Sequence, residues 1–193
     1  MKLRRLLLVL LVLIAGLPVV AQENTLWKDG FTAGVGYGFN VRDIKTLDYK
    51  GVALSGGYRK FLYSGLFVMP EVSLYWQEYE YEGAPPGGSL ATHSLNRFGI
   101  GADALLGVRI AVSGKVGIDL MAGPYIGWSF ANNRSDYFYG DYDNFEVRGR
   151  FGIGMTVLNK IYVNVFYDAA KTKFTDNGRN RGNIMSVGIG YSF

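Results

Sequence analysis

The sequence predicts an all-β fold, an eight-stranded antiparallel up-and-down transmembrane β-barrel. Three observations lead there. Eight runs alternate with period two, the connections between them alternate between tight and long, and each run has one apolar face and one face rich in glycine and charge. Helical periodicity is nearly absent, and past the amino-terminal leader no apolar stretch is long enough for a spanning helix.

The chain opens "MKLRRLLLVLLVLIAGLPVVAQEN". Lys2, Arg4 and Arg5 precede an apolar stretch, and Val19, Val20 and Ala21 end it on a small residue, which is the pattern of a cleaved secretory signal peptide. The reading is a leader over residues 1–21 and a barrel domain over 22–193. Three of the 20 basic residues and none of the 16 acidic ones lie in that leader, which leaves 17 basic against 16 acidic groups, a net +1. The basic pI therefore makes no case for nucleic acid as a partner.

The first run, "FTAGVGYGF", sets Phe31, Ala33, Val35, Tyr37 and Phe39 against Thr32 and three glycines. In the second, Val52, Leu54, Gly56 and Tyr58 oppose Ala53, Ser55, Gly57 and Arg59. In the third, Leu66, Val68, Pro70, Val72, Leu74 and Trp76 oppose Glu71, Ser73, Tyr75 and Gln77. The fourth spans residues 97–110 and the fifth residues 115–130; Leu105 and Met121 are large apolar exceptions on their otherwise glycine-rich and charged faces. A sixth run over 145–157, a seventh over 161–170 and the terminal "MSVGIGYSF" complete the set. Tight turns fall at Ser64, Gly114 and Asn159, whereas residues 40–50, 78–94, 131–144 and 171–183 form four long polar connections. Short connections thus gather at one end of the sheet and long ones at the other, as in an even-stranded outer-membrane barrel.

Charge decides which face meets lipid. The apolar face carries almost none, while the other holds Arg59, Glu71, Arg97, Asp103, Arg109, Lys115, Asp119, Glu146, Arg148, Arg150 and Asp168, with Lys60 as a further candidate. Those groups are expected to form a lumen charge network, since ions in a narrow interior must be paired, and 27 glycines make room for them. Closure follows from the same physics: an unpaired strand edge in hydrocarbon costs several kcal/mol per backbone group, so the last run pairs with the first. Tyr191 and Phe193 then fall in one interfacial aromatic girdle and Trp76, Trp128 and Tyr167 in the other.

With leader, eight runs, alternating connections and the terminal "GIGYSF", the chain resembles the small eight-stranded outer-membrane β-barrel proteins of Gram-negative bacteria, the OmpA/OmpX-type barrels and the single-domain barrels of Bacteroidetes. The resemblance covers the whole mature chain. It implies residence in the outer membrane, contact with its lipid and lipopolysaccharide, and recognition of the carboxy-terminal strand by the barrel assembly machinery. It also implies a barrel alone, without a peptidoglycan-binding domain or a transporter plug.

No cofactor, metal or catalytic residue is expected. Absence of cysteine removes thiolate ligands and thiol nucleophiles. Related barrels include lipid A palmitoyltransferases and deacylases, the latter with His and Ser two apart on a strand, but here His93 and Ser94 are adjacent and would face opposite sides. The aspartates of "NNRSDYFYGDYDN" lack the spacing of an EF-hand. Tyr137, Phe138, Tyr139 and Tyr142 in that loop are candidate contacts for a surface ligand whose identity the sequence leaves open. The functional reading is a structural or surface-interaction role through the four external loops; a narrow pore and a lipid A-modifying enzyme are the alternatives.

Overall fold

The computed structural model describes residues 25–40, 47–63, 65–83, 91–132, 144–170 and 183–193. A short 3-10 turn, Thr25–Trp27, leads into eight strands: β1 Gly30–Asn40, β2 Leu47–Tyr63, β3 Leu66–Gly83, β4 Ala91–Ser113, β5 Val116–Asn132, β6 Phe145–Val157, β7 Ile161–Ala170 and β8 Ile184–Ser192. All neighbours are antiparallel and the sheet closes on itself, β1 against β8. Along that seam Val35 pairs with Ile189 and Ala33 with Tyr191 on the outside, while Gly34 meets Gly190 and Gly36 meets Gly188 on the inside. The expected leader and the loop residues Tyr137, Phe138, Tyr139 and Tyr142 lie outside the described residues.

Turn chemistry sets the tight end. Leu158 and Asn159 both have φ of 55°, and the amide of Lys160 donates to the carbonyl of Val157 at 3.0 Å, the backbone of a type I′ turn that matches the twist of the flanking strands. Gly65, at φ 85°, supplies the left-handed residue of the β2–β3 turn.

Alternation orients the side chains. Phe31, Leu54, Leu74, Leu106, Trp128, Phe151, Ile153 and Ile189 point outward and are exposed, whereas Arg59, Arg97, Arg109, Asp119, Glu146, Arg148 and Asp168 point inward and are buried. A sheet with oily exterior and ionic interior fits acyl chains as its solvent.

Three expectations need correction. Lys115 is not in the lumen: it lies in the two-residue connection between β4 and β5 and is exposed, because a pleat-based alternation stops where the backbone turns. Lys60 is exposed as well, since the buried neighbour Arg59 already occupies the inward position and period two forbids both. The long connections are also shorter than expected. Residues 47–50, 78–83, 91–94 and 131–132 belong to strands, and β3 and β4 stay paired from Trp76↔Phe98 out to Gly83↔Ala91.

Candidate functional site: the lumen and its two mouths

At the tight-turn mouth the lumen is closed around Arg109. Its five N–H groups are all engaged: Nε and Nη2 grip Asp119 at 2.6 and 2.8 Å, Nη2 also donates to Thr156 Oγ1 at 2.8 Å, and Nη1 donates to the Leu26 carbonyl and Asn159 Oδ1, both at 2.7 Å. Thr156 in turn donates to Asp119 at 2.9 Å. Arg109 and Asp119 are cross-strand partners in the β4–β5 hairpin, brought opposite one another past a register shift between Ala111 and Ser113. The segment before β1 lies across this mouth. Leu26 is fully buried, Asp29 accepts the backbone N–H of Phe61 at 2.7 Å, and Asn159 donates to the Lys28 carbonyl at 3.4 Å. Residues from three separate places in the sheet thereby tie the amino-terminal segment down.

Arg59 shares this lower compartment but is poorly matched. Asp119 is 3.8 Å away, Nη2 contacts the Met69 sulfur at 3.6 Å, and Nε and Nη1 have no partner. Its guanidinium sits instead against the rings of Phe67 and Tyr162, at 5.1 and 5.6 Å from their centroids.

An apolar layer follows. Phe67, Met69, Leu105, Met121 and Phe166 form one buried cluster across β3, β4, β5 and β7, with Phe61 packed against it. Sequence reading treated Leu105 and Met121 as exceptions to a polar face; the structure shows them as parts of one partition. Close approach makes it possible, because the Phe67 ring lies directly on Gly107 of the neighbouring strand, where any β-carbon would collide with it. Tyr75 occupies Gly99 in the same way.

Above the partition the charges interlock. Arg150 binds Asp168 at 2.8 Å and Asp103 at 2.5 Å, Arg148 binds Glu146 at 2.8 Å and lies 3.7 Å from Asp168, and Arg97 lies 3.6 Å from Glu146. Arg150 also stacks over Tyr125, 4.4 Å from its centroid. Glu71 shares this compartment beside the Ser55 hydroxyl. A second apolar cluster of Tyr49, Tyr79, Leu95 and Ile184 lies above, toward the long-loop mouth. Sequence reading did not single out these four, nor Leu26, Thr156 and Asn159.

The residues expected in the girdles are placed as follows. Trp128, Tyr167, Tyr191 and Phe193 are outward and exposed; Trp76, half-buried, is on the outward face of β3 between buried Tyr75 and Gln77. Tyr191 and Phe193 pack edge to face at 5.1 Å, and Phe31 meets Tyr58 similarly at 5.0 Å at the same end. Phe98, Phe130 and Phe145 join Trp128 at the other, a set that sequence reading did not name.

Beyond that second belt β2, β3 and β4 continue as a raised sheet. β3 runs seven residues past Trp76, and at about 3.3 Å per residue and a tilt of about 40° this reaches roughly 18 Å. Lys50 on β2 bridges Glu80 at 2.8 Å and Glu78 at 3.5 Å on β3, and the hydrogen bond to Glu80 with the nearby Glu78 charge holds its ammonium above the usual lysine range. Among the described residues, β4 from Ala91 to Leu95 has no β5 partner, and Leu47 and Asp48 have none on β1. His93 belongs to this extension, paired through the backbone with Tyr81, and Ser94 follows it on the same strand. Among the described residues no group of three or more His, Cys, Asp or Glu side chains is arranged to hold a metal ion.

A family model described as the outer membrane protein beta-barrel domain matches residues 7–193. No curated protein matches the chain. Among solved structures, a de novo designed transmembrane β-barrel is 18% identical with a TM-score of 0.40, covering 85% of this chain and 95% of its own. The outer membrane protein Ail of Yersinia pestis in a phospholipid bilayer nanodisc is 15% identical with a TM-score of 0.41, covering 86% and 100%. Ail in complex with the heparin analogue sucrose octasulfate is 13% identical with a TM-score of 0.42, covering 86% and 97%. The lipid-facing exterior, the closed eight-stranded sheet and the match over nearly the whole length agree, and the chain belongs to the outer membrane protein β-barrel domain family.

Proposed function

We infer that this outer-membrane barrel is a non-conducting, non-enzymatic scaffold whose role is structural or surface-interactive, exercised by the raised β2–β3–β4 sheet and the loops that leave it. One observation carries this reading: the strands keep pairing well past the aromatic belt, out to Gly83↔Ala91, while the lumen beneath them is occupied by side chains. Rigid strands that project beyond the headgroups hold an exterior partner at a fixed distance from the membrane, and edges that have no strand neighbour among the described residues offer backbone hydrogen bonds to it. Lipid and lipopolysaccharide contact the belt and the apolar wall. The terminal strand, ending in Tyr191 and Phe193, is the part recognised by the assembly machinery.

Two features support the absence of conduction: the Arg109 clamp with Leu26 under it, and the apolar partition above. Planar-bilayer conductance of the purified protein is expected at background, and reproducible unitary steps would reject the reading. Replacing residues 84–90 by a short Gly-Ser linker, with the barrel intact by heat-modified gel mobility, is expected to reduce binding of expressing cells to matrix or host-cell surfaces. Equal binding before and after replacement of every external connection in turn removes the surface role. Unchanged lipid A mass spectra after overexpression are expected for a barrel without lipid-modifying activity.

A further inference from the structure

Unpaired cations gather at one end of the barrel. Lys28 lies in the segment before β1, Lys60 near the end of β2, Lys115 in the β4–β5 turn and Lys160 in the β6–β7 turn, so each tight connection and the amino-terminal segment brings one lysine to the periplasmic mouth. All four are exposed, and among the described residues none of them makes an ion pair. The described acidic side chains at that end are Asp29, which accepts the Phe61 amide, and Asp119, which is buried against Arg109. Even with a carboxylate counted at Phe193, the exposed rim keeps an excess of positive charge. Lys50, at the opposite end, is instead held by Glu78 and Glu80. Hydrogen bonds fix the backbone of three of the four lysines around the mouth. The carbonyl of Lys115 accepts from the Leu158 amide and that of Lys160 from the Ser192 amide, both at 2.6 Å, and that of Lys28 accepts from the Asn159 side chain at 3.4 Å.

Depth and neighbours say what these ammonium groups meet. Tyr58 joins the aromatic belt through Phe31, and Lys60 follows it by two residues on the same outward face of β2. Ile161 pairs with Tyr191 of the belt, and Lys160 precedes it by one residue. At about 3.3 Å per residue and a tilt of about 40°, both lysines lie roughly 3–5 Å beyond the belt, inside a headgroup layer roughly 5–8 Å deep on each side of the hydrocarbon. Leu62, Tyr63, Val112 and Leu158 stand among them, each more than half exposed. Large apolar side chains there fit the boundary between acyl chains and headgroups, where a lysine stem lies along apolar surface while its ammonium reaches outward. We propose that the tight-turn mouth is a docking collar for anionic phospholipid headgroups of the inner leaflet, with Lys28, Lys60, Lys115 and Lys160 pairing with lipid phosphate. A zwitterionic headgroup brings its own cation to the phosphate, whereas an anionic one leaves that charge for the protein, so the collar selects by net charge. This pairing rests on the placement of the barrel in the outer membrane and is independent of what the external sheet binds.

The test reconstitutes the barrel, residues 22–193, in phosphatidylcholine vesicles with trace spin-labelled phosphatidylglycerol or phosphatidylcholine. The motionally restricted part of the electron spin resonance spectrum reads how strongly each lipid associates with the protein. At about 10 mM salt wild type is expected to prefer phosphatidylglycerol about threefold or more, because one lysine at an anionic surface contributes up to about fivefold and the collar occupies only one end of the barrel. In about 1 M sodium chloride, where the screening length is about 3 Å, the preference is expected to fall toward unity; this arm uses wild type alone and does not depend on a variant folding. The combined variant Lys28→Gln, Lys60→Gln, Lys115→Gln and Lys160→Gln, shown folded by heat-modified gel mobility, is expected to lose the preference, and Lys50→Gln to keep it. Binding of expressing cells to surfaces is expected to be the same in the combined variant as in wild type, which separates this proposal from the external role. Equal association of the two lipids with wild type overturns the proposal, as does a preference that survives the combined variant or vanishes in Lys50→Gln. Sedimentation of wild type but not the combined variant with purified peptidoglycan, without a lipid preference, assigns the lysines to acidic wall peptides and also overturns it.

Discussion

Asp119→Asn is the perturbation that most directly tests the charge bookkeeping of the periplasmic compartment. Asp119 is fully buried and is, among the described residues, the carboxylate within reach of both Arg109, at 2.6 Å, and Arg59, at 3.8 Å. The amide keeps the volume and can still accept from Thr156, but it strands two buried guanidinium groups that repel one another. Removing one member of a buried pair costs about 3–5 kcal/mol, and that is the expected loss. Arg59→Met works in the other direction. Two unpartnered nitrogens disappear, each costing about 1–3 kcal/mol when buried, and two ring contacts worth about 0.5–2 kcal/mol each go with them. On those figures the balance runs from a loss of about 2 kcal/mol to a gain of about 5 kcal/mol. In the double variant one stranded cation is left instead of two, so Arg59→Met should give back at least about 1 kcal/mol of the Asp119→Asn loss. Urea unfolding in lipid vesicles measures this, with the fluorescence of Trp27, Trp76 and Trp128 reporting the mouth and the belt. Equal losses in the two single variants, or strictly additive losses in the double variant, would refute the reasoning.

Two further outcomes follow from local packing. Gly107→Val places side-chain atoms into the Phe67 ring, which is fully buried and cannot yield; a loss of about 1–3 kcal/mol is expected from overpacking. Gly114→Ala, with nothing within 4 Å of the new β-carbon, is expected to stay within about 0.5 kcal/mol of wild type in the same urea titration. Deleting Phe193 removes one backbone hydrogen bond, 2.8 Å to the Phe31 carbonyl, and an exposed ring. Spontaneous folding into vesicles should therefore change little while the amount of folded protein in the outer membrane of cells falls. Normal assembly in cells would show that the terminal aromatic is not a recognition signal.

What could be read from the sequence follows the distance over which period two can be extrapolated. The sixth and seventh runs, residues 145–157 and 161–170, coincide with β6 and β7, because both end at a tight turn and both carry a continuous apolar face. "EYEYEG" reads as part of a polar connection although it alternates just as strictly. Its two faces are tyrosine and glutamate, so no hydrophobic face marked it as strand, yet Tyr79 turns inward onto Tyr49 while Glu78 and Glu80 turn outward to Lys50. Lys115 failed for the opposite reason: alternation was carried one residue too far, into a turn. The same distinction governs the ion pairs. Arg150 and Asp168 lie equally far from the β6–β7 turn, so that pair follows once the turn is placed, whereas Arg109 and Asp119 are offset by one residue because the β4–β5 ladder shifts register between Ala111 and Ser113. Glu71 and Asp103 are joined through a long connection in which strand pairing runs on to Gly83↔Ala91 without an apolar face to mark its end, and no symmetry about a tight turn aligns them. The apolar partition is harder still. Phe67, Met69, Leu105, Met121 and Phe166 reach one level only through the stagger of strands around the closed sheet, a quantity fixed by the register of all eight pairings together. Each of these residues therefore looks like a local breach of a polar face in one dimension, and only closure of the barrel converts the breaches into one buried apolar layer across the lumen.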